Sequence, residues 1–338
     1  MRLVGLILAW TAAAVIGAAP QDLTMTSFLR KTVMLSDAQM ASLEASEVVA
    51  KQLPADEKAD VAAFGAVRIA ASPEAYVARF RDITSFRRSA TVTEIGRFGD
   101  APDVRDVAAL TLDDEDFEAA RSCRPGKCDL KLARSAIERM HSQINWSAPD
   151  ARARATAVLR QVMVDFVMAY KRNGAGALAT YLDKERPIDG SSEFKTLLDG
   201  SGYLAAFAPD FHRYVASYPT GTLAGAEDFF YWAKDRGGPK PTVSIYHVTL
   251  WRDPRGPVFI SSKQIYSSHF VRVGLDLVAL IPWKEPGTGF YLLDLYRARI
   301  DPPGGLIGAA IIGKIRGSVE NSLRESLKSA KTRTLSPE

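Results

Sequence analysis

Between Thr242 and Ile300 the chain alternates polar and apolar residues in four consecutive runs, Thr242–Arg252, Val258–Ser268, Val273–Trp283 and Gly289–Ile300. A period of two sustained this way marks strands with one row of side chains turned to a core. The segments between them, such as Asp253-Pro-Arg-Gly256 and Lys284-Glu-Pro-Gly287, are turns too short for a parallel crossover. The spacing therefore predicts an antiparallel meander. Pro302-Pro303 ends it, and from Gly304 to Lys328 the apolar residues Ile312, Ile315, Val319, Leu323 and Leu327 recur at helical spacing.

Upstream, Val61–Ile69, Thr91–Phe98 and Val107–Leu112 read as further strands, and Ser72-Pro73-Glu74 is a helix start: Ser caps, Pro takes the first turn, Glu suits its positive end. From about 113 to 218 the period is helical. Asp150–Arg172 carries Val158, Val162, Phe166 and Tyr170 every four residues and stops at Gly174. The expected fold class is α+β: a curved antiparallel sheet of about seven strands gripping a long C-terminal helix, interrupted by a helical insertion over 113–240. The expected organisation is a leader over 1–19, a polar, helix-leaning segment over 22–58, the α+β unit over 59–330 and a loose tail over 331–338.

Two segments carry a resemblance. Val67-Arg-Ile-Ala-Ala-Ser-Pro-Glu-Ala-Tyr-Val77 looks like the first strand and helix start of the START-like, or SRPBCC-like, helix-grip superfamily, and Gly304–Lys328 looks like its closing helix. The resemblance covers about 61–112 and 240–330. It implies an apolar ligand enclosed between sheet and helix. Ser122–Leu132, Phe229–Lys234, Ser262–Phe270 and Tyr296–Asp301 also resemble segments of a group of uncharacterised exported bacterial proteins, which supplies no activity to transfer.

Met1-Arg2, an uncharged apolar run from Leu3 to Ile16 and the small residues Gly17-Ala-Ala19 have the order of a secretory leader, with cleavage after Gly17 or Ala19. The alternative is an uncleaved anchor, although the run falls short of the roughly 20 residues that a bilayer needs. Export to the periplasm or beyond gives Cys123 and Cys128, the chain's 2 cysteines, an oxidising compartment. The turn Arg124-Pro-Gly-Lys127 brings them together, so a structural disulfide is expected rather than a redox pair or half a metal site.

Parity along the strands nominates a ligand site. Tyr291, Leu293 and Leu295 share a row with Arg297 and Arg299; Lys263, Ile265 and His269 share another; His247 lies in the row of Val243, Ile245 and Trp251. Facing inward, Lys263, His269, Arg297 and His247, with Tyr291, form a basic handle beside an apolar cavity, closed by Leu306 and Ile307 at the helix start. That suits an amphipathic ligand with an acidic head. In the other reading these residues face water or pair with Asp276, Asp294 and Asp301. Gly305, Ala309, Gly313 and Gly317 leave one helix face nearly bare, for close packing on the sheet, for a ligand, or for transient contact with a membrane surface.

Lys+Arg 43 against Asp+Glu 39 is not the charge of a dedicated nucleic-acid binder. There is no G-x-S-x-G elbow, P-loop or H-E-x-x-H sequence, so no metal, cofactor or catalytic residue is assigned. The leading expectation is an exported protein that binds an apolar or amphipathic small molecule, a lipid among the candidates. A cyclase- or hydrolase-type enzyme using His269 or His247, with Lys263 or Arg297 fixing charge, is one alternative. An envelope scaffold acting through the insertion is another.

Overall fold

The computed structural model describes residues 24–55, 59–283, 289–301 and 308–336. The expected leader over 1–19, the expected turn at 284–287 and the nominated residues Leu306 and Ile307 lie outside them. In chain order the elements are α1 (Met25–Lys31), α2 (Asp37–Glu44), β1 (Val49–Gln52), β2 (Asp60–Ile69), α3 (Pro73–Arg81), α4 (Ile83–Arg87), β3 (Val92–Phe98), α5 (Asp114–Ser122), α6 (Arg134–Gln143) and α7 (Ala151–Asn173). There follow β4 (Thr180–Tyr181), β5 (Ile188–Asp189), α8 (Gly190–Asp199), α9 (Gly202–Phe207), α10 (Pro209–Ser217), β6 (Glu227–Asp235), β7 (Thr242–Arg252), β8 (Val258–Ser267), β9 (Val271–Pro282), β10 (Phe290–Ile300) and α11 (Gly308–Leu335).

Eight strands make one open sheet in the order β1-β2-β10-β9-β8-β7-β6-β3, with every neighbouring pair antiparallel. The alternating runs form the meander β7–β10 as their spacing predicts. Helices cover both faces. On one face, Tyr76, Val77 and Phe80 of α3 and Leu323 and Leu327 of α11 pack on Ala63, Val67, Val248, Ile260, Val278 and Leu292. On the other, α1, α2 and the helices α5–α10 bury Phe64, Ile245, Trp251, Phe259, Leu275 and Leu293. Because both rows of β8 are covered, its burial is continuous rather than alternating.

Local chemistry starts the helices where the sequence places them. Ser72 accepts from the Ala75 N–H with Pro73 at the first helical position. Ser36 and Gln39 form a reciprocal capping box on α2. Cys123 and Cys128 are disulfide-bonded across the turn, where Gly126 supplies a φ of +85°.

Several expectations need correction. The sheet has eight strands, not about seven. Val49–Gln52 is a strand that the helix-leaning reading of 22–58 passed over, and Glu227–Asp235 is a strand within the bounds given to the insertion, so the helical block ends before β6. Val107–Leu112 is not a strand: Asp103 caps a 3-10 turn over Val104–Val107, and the chain then runs irregularly to α5. The segment 331–335 is not loose but continues α11, held by Lys331 on the Ser46 carbonyl and Arg333 on the carbonyls of Phe86 and Arg88. Gly313 of the small-residue stripe is exposed, with nothing within 4 Å of a Cβ built there, so it is not a close-packing contact with the sheet. Among the described residues no helix is long and apolar enough to cross a membrane.

Close packing of α11 on the sheet depends instead on Gly65 of β2. A Cβ there would sit 2.4 Å from Leu327 Cδ1 and 3.1 Å from Leu323 Cγ. Gly65→Val therefore drives both leucines outward. The expected loss is about 1–3 kcal/mol, the usual cost of overpacking, read as a lower urea midpoint. An unchanged midpoint would show that α11 is not seated on β2.

Candidate functional site

The sheet face beneath α11 is divided. At one end of the meander Val248, Leu250, Val258, Ile260, Val278, Leu280, Phe290 and Leu292 belong to the apolar core shared with α3. Farther along the same rows the residues turn polar: Ser244 and Tyr246 on β7, Ser262 and Gln264 on β8, Asp276 on β9, Asp294 and Tyr296 on β10. Register joins them across the strands, with Tyr246 opposite Gln264, Ser262 opposite Asp276 and Asp276 opposite Tyr296. With Tyr231 of β6, Arg87 at the end of α4 and Ser318, Val319, Ser322, Leu323 and Ser326 of α11, they bound a cavity of about 340 Å³. The three serines recur every four residues, in one row along the helix.

The charged centre of this cavity is the pair Asp276 and Asp294 on adjacent strands. Each stands between leucines, Leu275-Asp-Leu277 and Leu293-Asp-Leu295. The leucines fill the core on the insertion side, so alternation turns both carboxyls towards α11. Asp276 takes a 3.1 Å ion pair from Arg87 Nη2. Asp294 is 8% exposed. Burial, then the charge of Asp276 and the contact with it, hold the Asp294 carboxyl well above the usual carboxylate range. Burial opposes the charge on Arg87, but its anionic neighbour Asp276 is among the groups that offset it, and its pKa is raised. Burial also raises the phenols of Tyr76, Tyr231, Tyr246 and Tyr296. The centre thus sets a carboxyl that resists ionisation beside the Arg87–Asp276 ion pair and protonated phenols. Three of its buried atoms, Arg87 Nε, Asp276 Oδ1 and Asp294 Oδ1, have no hydrogen-bond partner among the described residues. Unpaired buried polar atoms are costly, and three of the ten among the described residues belong to this one cavity, while the others, His247 Nδ1 and Arg297 Nε among them, are scattered.

The nominated basic handle lies on the opposite face, beneath the insertion. His247 and Lys263 are direct cross-strand partners. Lys263, 1% exposed, donates to the Val215 carbonyl of α10 at 3.1 Å. Its Nζ lies 5.7, 5.1 and 5.7 Å from the ring centroids of Tyr170, Tyr218 and Phe194. Burial lowers its pKa to about 7, against the pull of Asp228. His247 Nε2 lies 2.7 Å from Asp228 Oδ1, which Thr249 also reaches, while Tyr214 donates to Asp228 Oδ2. Burial and the Lys263 charge lower the His247 pKa to about 3, so the imidazole is neutral. His269 pairs with Asp116 at 2.9 Å, so the acidic run at the start of α5 is not wholly solvated. Arg297 lies against Gly200, and the Tyr291 hydroxyl donates to Glu44 at 2.8 Å. The structure therefore brings His247 and Lys263 together but leaves His269, Arg297 and Tyr291 apart from them. Of the acidic partners considered, Asp276 takes Arg87 and Asp301 takes Lys131 and Arg272.

The residues that line the α11 cavity were within reach of the sequence. Asp is disfavoured in strands, and two Leu-Asp-Leu triplets in consecutive strands mark carboxyls that something must hold. Among the described residues no group of three or more His, Cys, Asp or Glu is placed to bind a metal ion. Comparison of the chain with protein-family models and with curated proteins finds no match, so the cavity's own geometry carries the functional reading.

Proposed function

We propose that this is an exported small-molecule-binding protein of START-like, helix-grip type, with its ligand between the sheet and α11. The observation that carries the reading is the set of unsatisfied buried polar atoms on Arg87, Asp276 and Asp294 around one cavity. A ligand hydroxyl, which can donate to the carboxyls and accept from Arg87 Nε, would satisfy them, which favours a hydroxylated head over the acidic head expected from the sequence. Val319 and Leu323 supply an apolar flank for the rest of an amphipathic molecule. The disulfide supports an oxidising compartment.

Native mass spectrometry of the protein from its own cells tests this. Wild type should carry a bound small molecule. Asp276→Ala and Ser322→Trp, which remove the acceptor and narrow the entrance, should come out empty while keeping the native circular dichroism. Wild type that is consistently empty, or a load unaffected by both variants, overturns the reading. A second reading is favoured by one feature: a neutral Asp294 beside Asp276 is the protonation pattern of a general acid with its base. That reading requires the bound molecule to be converted on incubation, and Asp294→Asn to load it without turnover.

A further inference from the structure

A second cavity lies inside the insertion. It measures about 300 Å³ and sits between α6, α7 and the sheet face opposite α11. Leu159, Val162, Met163 and Phe166 of α7 wall one side, and Ile245 and Tyr266 of the sheet, with Tyr181 of β4, form its floor. At about 30 Å³ for each non-hydrogen atom, the share of one water in the liquid, it holds on the order of ten such atoms. None of its residues lines the cavity under α11.

The polar groups at the two ends define the ligand chemistry. Tyr181 and Tyr266 are 1% and 9% exposed, and their rings lie 6.3 Å apart. Burial raises both phenols, so both stay protonated and able to donate. Neither hydroxyl has a hydrogen-bond partner among the described residues. At the mouth Arg139 Nη1 lies 2.6 Å from Asp165 Oδ2, and Gln161 donates to Asp165 Oδ1 at 2.8 Å. The mouth is therefore charge-neutralised. A carboxylate would have to displace Asp165 there, or approach a floor that already feels Asp116 and Asp183. A neutral acceptor meets neither obstacle and satisfies a waiting donor.

We infer that the insertion holds its own ligand site, for a neutral apolar molecule of about ten non-hydrogen atoms with one hydrogen-bond acceptor, such as a medium-chain ketone or ester. Tyr181 and Tyr266 donate to the acceptor, and the α6–α7 wall encloses the hydrocarbon. The site is independent of the ligand proposed beneath α11.

Calorimetric titration of the full chain with 2-decanone, butylbenzene and decanoate tests it. The ketone should bind one to one. It should bind about three- to tenfold tighter than butylbenzene, the usual net worth of one neutral hydrogen bond, and tighter than decanoate. Joint Tyr181→Phe and Tyr266→Phe should erase the ketone's advantage while keeping butylbenzene binding. Met163→Trp should abolish both, as should Ala179→Trp from the other wall should the first variant fail to fold. Ser322→Trp, in the other cavity, should change nothing. No saturable binding of 2-decanone, tighter binding of decanoate, a ketone advantage that survives loss of both phenols, or binding that survives the filled cavity each overturns the inference.

Discussion

Asp294→Asn should make the protein more stable than wild type at neutral and alkaline pH, by a margin that grows as pH rises. The Asp294 carboxyl has a folded pKa raised well above its unfolded value by burial and by Asp276. Its contribution to stability is complete below about pH 3.9, the unfolded pKa, and is lost as pH rises through the folded one. Across that window the unfolded chain gives up a proton that the folded chain keeps, at about 1.4 kcal/mol for each pH unit. Asparagine has the shape of the neutral acid, and its amide can donate to Asp276 as the acid's hydroxyl does, but it has no proton to lose. The groups facing it are Asp276 on β9, Arg87 on α4 and the phenols of Tyr76, Tyr231, Tyr246 and Tyr296. Burial carries the phenols further from this range. Urea melts from pH 4 to 9 should show the wild-type midpoint falling further below that of the variant as pH rises. Parallel curves would mean that the two carboxyls do not share the proton. Asp276→Asn is not equivalent, because it strips Arg87 of its carboxylate; it should destabilise at every pH in the range.

The meander was legible because strand period and turn chemistry point to the same answer over β7–β10. β6 was not, because Phe229-Phe-Tyr-Trp-Ala233 is apolar on both parities. Phe230 and Trp232 fill the insertion side while Phe229 and Tyr231 fill the α11 side, and a strand buried on both faces has no alternation to read. β1 is four residues long and too short for a pattern. The same two-sided burial limits what the sequence says about the site. Parity puts His247 and Lys263 in inward rows, which prove to be one face, but it did not separate Asp276 and Asp294 from that handle, and it cannot say which helical layer lies on each face. That choice is made by contacts between residues far apart in the chain, Lys263 with Val215 on one side and Asp276 with Arg87 on the other. Two carboxyls held by flanking leucines are the more informative signal, since a solvated Asp needs no such frame.

Lys263→Met should stabilise the protein near pH 7 and lose that advantage by about pH 10. The folded pKa of about 7 lies below the ordinary lysine value of 10.5. Between these values the unfolded chain binds the proton and the folded chain does not, so the lysine's own contribution to stability rises with pH across that window. At pH 7 the deficit carried by the lysine is about 3–5 kcal/mol, at about 1.4 kcal/mol for each pH unit that separates the two values. Methionine keeps the apolar stem among Tyr170, Tyr218 and Phe194 and removes the charge. It also leaves the Val215 carbonyl without its donor, at a cost of about 1–3 kcal/mol. The net expected gain is about 2 kcal/mol at pH 7, turning to a loss once the lysine is neutral in the unfolded chain as well. His247 gives an independent readout. Its pKa of about 3 is held down first by burial and next by the Lys263 charge, so the imidazole resonance should titrate at higher pH in the variant. A destabilised variant at pH 7 with an unmoved His247 would mean that Lys263 is charged and well solvated in the fold, and that the layer formed by α10 does not seal it from water.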